Sequence, residues 1–391
     1  MPDANTVKAR SPAATNARLL SLDALRGLIM ILMAIDHANY FIAKVHQGEF
    51  WGIALPHYEH ILPFMTRWIT HLCAPGFFFL MGSGMILFAA SRRKAGWTET
   101  KVIRFFVVRG LLLIVLQLLV ENPAWLLGPF GKDADMMVPP GGGGEVFLHF
   151  GVLYALGANM ILFAFLLRAG TALIAFLSAG AILATQLFTP GASEAGVLYS
   201  PLLRLLLIPG HTGMWQSFYP LVPWMGLTGV GVIFGKLLPK YRQKLFGYIL
   251  VIGGIFLILF LFIRSSSGFG NFHAGDDGVI SFLNVTKYPP SLAFILLMLG
   301  LNFVLLFLFS KSDKALSRFG QPLLIFGRTA LFFYIVHLYL YAVIGFAFPH
   351  GTSYGLMYLF WFLGLLILFP LCLWYGRFKR EKPIESLWRL L

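Results

Sequence analysis

The chain has 391 residues, of which 58% are hydrophobic, 16% aromatic and only 12% charged. Soluble domains carry about 25% charged residues, so a water-soluble globule is excluded for want of polar surface, and the aromatic content excludes disorder. The net charge of +14 would suit nucleic acid, but its placement along the chain points to a membrane protein that binds no nucleic acid.

A spanning helix needs about 20 mostly apolar residues. Ten stretches meet that requirement: 19–41, 68–90, 104–121, 149–168, 171–189, 218–238, 246–264, 290–310, 322–347 and 354–376. None alternates as a barrel strand would, so the fold class is all-α, a polytopic bundle of about ten transmembrane helices. The first apolar run is too long for a signal-peptide core and no small-residue cleavage site follows it, so it stays as a helix. The domain reading is a cytoplasmic tail at 1–17, one transmembrane domain at 18–378 and a second cytoplasmic tail at 379–391.

Orientation follows from lysine and arginine in the short loops. With a cytoplasmic N-terminus, the inner side holds Lys8, Arg10 and Arg18, then Arg92, Arg93, Lys94 and Lys101, then Lys236, Lys240, Arg242 and Lys244, then Lys311, Lys314 and Arg318. The C-terminal basic residues, and Arg26, Arg104, Arg109, Arg168 and Arg328 at inner helix ends, join them. The outer side keeps Lys44, Arg67, Lys132, Arg204, Arg264 and Lys287. The positive charge is therefore topological, and ten helices return both termini to the cytoplasm. Cys73 and Cys372 fall at opposite faces, which argues against a disulfide. Extra length is spent on the outer loops 42–67, 122–148, 190–217 and 265–289, which suggests recognition on that face. One of them holds the hinge or spacer Pro139-Pro140-Gly141-Gly142-Gly143-Gly144. Trp51, Trp215, Phe218 and Tyr219 in these loops suit sugar stacking, but an interfacial aromatic belt is the favoured reading.

Ionisable residues inside spans cost about 2.5–3.5 kcal/mol each near the centre. The first helix carries Asp23, Arg26, Asp36 and His37. Arg26 and His37 are eleven residues apart, which on an α-helix is about 20° past three turns and a rise of about 16.5 Å. Both lie on one face, which should turn inward. The bland readings are an Arg26 that snorkels and pairs with Asp23, and an interfacial His37. His71, His149 and His337 fall at similar depth in the outer half, and each also has a plain structural reading. Histidine suits proton exchange near neutral pH. His57-Tyr58-Glu59-His60 would bring two metal ligands together only on a helix, and no metal site is expected. Gly82-Ser83-Gly84 reads as helix packing, and phosphate-binding and dinucleotide loops are missing from the sequence.

Ser21-Leu22-Asp23-Ala24-Leu25-Arg26-Gly27 leading to His37 resembles the transmembrane acyltransferase superfamily, whose acyltransferase-3 branch has an arginine, ten residues and a histidine in its first helix. Pro75-Gly76-Phe77-Phe78-Phe79-Leu80-Met81-Gly82-Ser83 and Gly151-Val152-Leu153-Tyr154-Ala155-Leu156-Gly157 are more similar to the heparan-α-glucosaminide N-acetyltransferase branch. Lys287-Tyr288-Pro289-Pro290-Ser291, and Gly327-Arg328 with His337, resemble its bacterial members. The resemblance runs from about residue 18 to 376. It implies a multi-pass acetyltransferase of the bacterial cytoplasmic membrane that moves an acyl group from cytoplasmic acyl-CoA to an extracytoplasmic glycan or amino sugar. It implies Arg26, Arg104, Arg109 and Arg328 as holders of the donor phosphates, and His37 as the base or acyl carrier with Asp36 to orient it. His71, His149 and His337 stand nearby as acceptor-binding residues. In the lysosomal member of the branch the catalytic histidine lies just beyond the first helix, where this sequence offers His46, His57 and His60. The competing reading is a proton-coupled transporter or lipid-linked carrier, and a scaffold without chemistry ranks last.

Overall fold

In the computed structural model, residues 19–390 are described except 129–134, 137–138, 142–145, 147 and 276–277. The expected N-terminal tail 1–17, with Lys8, Arg10, Arg18, Lys132 and Gly142-Gly143-Gly144, lies outside the described residues. The chain is a polytopic helical membrane protein. The first helix, α1 (Leu20–Ala38), continues through a π-helical turn at Asn39–Ala43. Next come α2 (Ile61–Trp68), a 3-10 turn at Ile69–Leu72 and α3 (Cys73–Lys94), one continuous run of 34 residues. Thr98 caps α4 (Glu99–Leu116), which passes through a second π turn at Gln117–Glu121 into α5 (Asn122–Leu126).

After these follow α6 (Val152–Leu166), α7 (Thr171–Phe188), the short α8 (Pro201–Leu206) and α9 (Leu221–Ser266). The last contains Pro239 and leaves helical geometry at Tyr241, where it divides into two spans. The tight connection between α6 and α7 is closed by the Lys236 ammonium, which donates to the carbonyls of Leu167 and Ala169. The remaining helices are α10 (Val279–Leu283), α11 (Leu292–Lys311), α12 (Asp313–Phe319), α13 (Gln321–Arg328), α14 (Ala330–Gly345), α15 (Tyr354–Glu381) and α16 (Leu387–Leu390).

Helix occupies all ten expected positions, yet among the described residues seven runs are long and apolar enough to cross a membrane by themselves, or eight if α13 and α14 form one span. The exceptions have physical causes. Helix α1 carries Asp23, Arg26 and Asp36 within 19 residues, and α6 is only 15 residues long. The straight helix expected over 322–347 is instead bent by 94° between Arg328 and Ala330. The expected tail at 379 begins inside α15, which runs to Glu381.

Among the described residues, five short strands cover one end of the helix bundle. β1 (Val45–His46) pairs with β2 (Asp135–Met136), and β3 (Leu148–Phe150), β5 (Trp215–Ser217) and β4 (Gly210–Thr212) form a second small sheet in that order. The extra length of the outer loops therefore folds into structure. The His211 N–H donates to the Pro140 carbonyl, tying the proline end of the spacer to this sheet. Gly82 and Ser83 pack as expected, with the Ser83 hydroxyl reaching the carbonyls of Phe79 and Gly231 across the α3–α9 contact, whereas a Cβ on Gly84 would meet nothing within 4 Å. Cys73 and Cys372 are both free and buried.

Candidate functional site

Helix α1 carries the stripe that the spacing predicts, and the stripe faces cavities. Arg26 and Met30 line a cavity of about 630 Å³, and Met33 and His37 line a small one of about 40 Å³ beyond it. These positions are i, i+4, i+7 and i+11, one face of a helix. Toward the lower end of α1, Asp23 sits between two guanidinium groups, Arg26 at 3.4 Å and Arg328 at 3.1 Å. Arg26 also donates to the Gly327 carbonyl at 3.2 Å. Snorkelling Arg26 and cavity-lining Arg26 are thus the same residue.

Two glycines make this corner possible. A Cβ built on Gly27 would stand 1.9 Å from the Leu323 carbonyl oxygen, and one on Gly327 would stand 2.0 Å from that of Asp23. Only glycine permits such an approach of the α1 and α13 backbones. The bend after Arg328 then turns α14 along the cavity wall.

Arg109 and Arg328, with Lys379, line both the 630 Å³ cavity and a second inner cavity of about 550 Å³. The latter adds Arg92, Arg380 and Arg389. The Arg109 Nε atom is buried without a hydrogen bond among the described residues. Arg104 is exposed and lines neither cavity, which corrects its expected place. Five helical residues separate it from Arg109, about 140° around the axis, so one helix face cannot present both.

Val152 and Tyr334 line the large cavity, the small one and an outer chamber of about 140 Å³. That chamber holds His37, His46 and His149 together with Glu121, Trp125 and Gln216. Phe218 and Tyr219 line it as well, and Trp51 is fully buried with its indole N–H on the Pro209 carbonyl. The belt expectation therefore fails for these three, because the outer loops fold inward over the chamber.

The His37 Nδ1 atom is 2.6 Å from His337 Nε2, with the rings stacked. His337 Nδ1 is 2.9 Å from the Phe333 carbonyl, an oxygen that can only accept. His337 therefore carries its proton on Nδ1, and its Nε2 accepts from His37 Nδ1–H. The chain of bonds leaves the lone pair of a neutral His37 on Nε2. His337 lines none of these cavities and meets His37 instead, which corrects its expected place beside the acceptor.

Asp36 does not orient His37. Both its oxygens accept from Arg67 Nη1, at 2.7 and 2.9 Å. Arg67 also grips Glu49 through Nε and Nη2, at 2.9 and 2.8 Å. His71 Nε2 lies 3.2 Å from Glu49, and His71 lines none of these cavities, another correction. The 3-10 turn at Ile69–Leu72 sets it toward the ion cluster. Lys287 lines the small cavity beside Asp36, so two carboxylates face two cations. Burial alone would raise the Glu49 carboxyl, but Arg67, with His71, holds it well below its ordinary value.

Of the three loop histidines, His46 is buried in the chamber wall with Nδ1 3.8 Å from Asp36, whereas His57 and His60 are exposed. Burial pushes the His46 imidazole down to about 4, against the pull of Asp36. Residues 54–60 are irregular, so the His57 and His60 spacing builds no helical ligand pair.

The model of the heparan-α-glucosaminide N-acetyltransferase catalytic family matches residues 18–263. The chain belongs to this family. The heparan-α-glucosaminide N-acetyltransferases of Mus musculus and Homo sapiens are each 29% identical to it over 120 residues, 30% of this chain. That stretch is 16% of either relative's length. The family match takes in α1 to α9, with Arg26, Asp36, His37, His46, Arg109 and Glu121. Lys287, Arg328 and Tyr334 complete the same cavities from beyond it, and His337, also beyond it, bonds to His37.

Sequence reasoning missed Arg67, Glu49, Glu121 and Tyr334. Glu121 had a readable signal, since Gln117, Glu121 and Asn122 break the apolar end of the third span. Arg67 and Glu49 had none beyond their charge.

Proposed function

We propose that this chain is a membrane-embedded acetyltransferase that moves the acetyl group of acetyl-CoA to a sugar amine or hydroxyl. The donor enters from the basic mouth and the acceptor from the opposite, strand-covered face. The observation that carries the reading is the file of cavities from Arg92, Arg109 and Arg328 to His37, joined at Val152 and Tyr334. Family membership supports the reaction class, and the relatives' name supports an amino-sugar acceptor. The basic residues named above support an inner mouth and cytoplasmic termini.

In this reading Arg26, Arg109 and Arg328, with Lys379, hold the phosphates of the donor. The apolar middle of the large cavity, Met30, Leu80 and Met81, takes its pantetheine arm. The acceptor nitrogen or oxygen attacks the thioester carbonyl carbon. His37 Nε2 takes the proton it loses, while His337 supports the imidazolium through Nδ1. The C–S bond breaks, and the thiolate recovers that proton to leave as free CoA. His149 lines the acceptor side, and the Asp36–Arg67–Glu49 cluster keeps the wall rigid.

His37→Ala in purified protein should lower transfer from radiolabelled acetyl-CoA to glucosamine by about 10²–10⁴-fold, with donor binding retained. A second reading is favoured by the burial of His46 beside Asp36 in the loop after α1. There His46, rather than His37, meets the acceptor or carries the acetyl group. It requires the large loss in His46→Ala and a small one in His37→Ala.

A further inference from the structure

Glu121 is the carboxyl residue of the strand-side chamber that the proposed reaction leaves unused. It is 3% exposed and sits on the π turn at Gln117–Glu121. Such turns swing side chains out of the regular helical register and recur at functional sites. Here the turn directs Gln117 and Glu121 into the chamber. Glu121 Oε1 accepts from the Trp125 indole N–H at 3.0 Å. Oε2 is buried and makes no hydrogen bond of good geometry among the described residues, although the Tyr334 and Gln117 side chains lie close enough to interact with the carboxyl group. A buried acceptor left open in a polar chamber costs free energy that a ligand N–H or O–H recovers.

Gly151 lines the chamber against the same carboxyl group: a Cβ there would stand 3.0 Å from both Gln117 Oε1 and Glu121 Oε1. Gln216, Trp125 and Phe218 complete the walls. Aromatic faces with a few fixed polar groups suit a hydroxylated ring with one apolar side.

We propose that Glu121 selects the acceptor: Oε2 takes a hydrogen bond from an amine or hydroxyl group of a sugar ring seated in the outer chamber, next to the group that is acetylated. This rests on the acetyltransferase reading. Glu121 contacts the acceptor and never the donor, so its loss separates the two substrates kinetically.

The test uses the full chain in lipid nanodiscs with acetyl-CoA and D-glucosamine, each varied in turn. Glu121→Gln, which replaces one carboxyl oxygen with an NH2 donor, should raise the glucosamine KM by about ten- to hundredfold, the cost of a lost hydrogen bond at a buried acceptor. The acetyl-CoA KM should stay within about twofold. Gly151→Ala, which pushes a methyl group at the same two oxygens, should raise the glucosamine KM as well, and it reports on the subsite if Glu121→Gln is not recovered folded. An unchanged glucosamine KM, or an equal rise for both substrates, overturns the assignment while leaving the acetyltransferase reading standing. If the wild type transfers nothing, that reading fails, and glucosamine binding by equilibrium dialysis decides the subsite. Binding lost in Glu121→Gln supports it, and no binding by the wild type overturns it.

Discussion

Arg67 is held on three sides of its guanidinium by carboxylate oxygens and is 3% exposed. Removing one partner of a buried ion pair costs about 3–5 kcal/mol when a charge is left alone. In Glu49→Gln, Asp36 still faces Arg67, so the loss at neutral pH should be no more than about 3 kcal/mol. Glu49 is held below its ordinary 4.5, so its contribution is complete above about pH 4.5 and fades as the pH falls through the folded value. His46, lowered to about 4 from 6.5, erodes stability over the window between those two values, because the unfolded chain takes up its proton first. The gap in melting temperature between wild type and Glu49→Gln should be level from pH 5.5 to 8 and close in stronger acid. A gap that instead widens on acidification would show that the carboxylate is not held by Arg67.

At the scale of elements, the crossing of α1 and α13 is set by backbone against backbone. Gly27→Val should force the two helices apart, at an overpacking cost of about 1–3 kcal/mol. It should also weaken acetyl-CoA binding, since Arg26 and Arg328 meet at Asp23 beside that crossing. Thermal denaturation and donor titration of the same preparation check both effects, and unchanged donor affinity would detach the crossing from the mouth. The helices themselves were legible because apolar runs of spanning length leave little choice. The bend after Arg328 and the π turns after Ala38 and Leu116 were not. They depend on which carbonyl each N–H meets, and hydropathy is blind to that. Arg26 and His37 were readable as a pair because both lie on one helix. His337 was visible only as a histidine at the right depth, and its hydrogen bond to His37 spans 300 residues of sequence. Glu49 and Arg67 stayed hidden, and His46 could not be told from His57 and His60, because each takes its meaning from how the segment after α1 folds back onto it.

Across the whole molecule, charge is graded from one end of the cavities to the other. Arg92, Arg109, Arg328, Lys379, Arg380 and Arg389 surround the inner cavity of about 550 Å³ without a carboxylate in its wall. Arg109→Met should raise the acetyl-CoA KM by about tenfold, the loss of one charge-assisted contact, and leave the acceptor KM alone. Added salt should weaken donor binding in the wild type more than in Arg109→Met. Equal salt sensitivity would place the donor elsewhere.

One phenol ring stands where three cavities meet. The space before Tyr334 is about 630 Å³, and the chambers beyond it are about 140 and 40 Å³. Along the proposed route the acyl group passes that ring, which packs edge-on against the paired imidazoles. On that reading a fatty chain would need more room than the two small chambers offer, and the ring would limit the length of the cargo without making or breaking a bond.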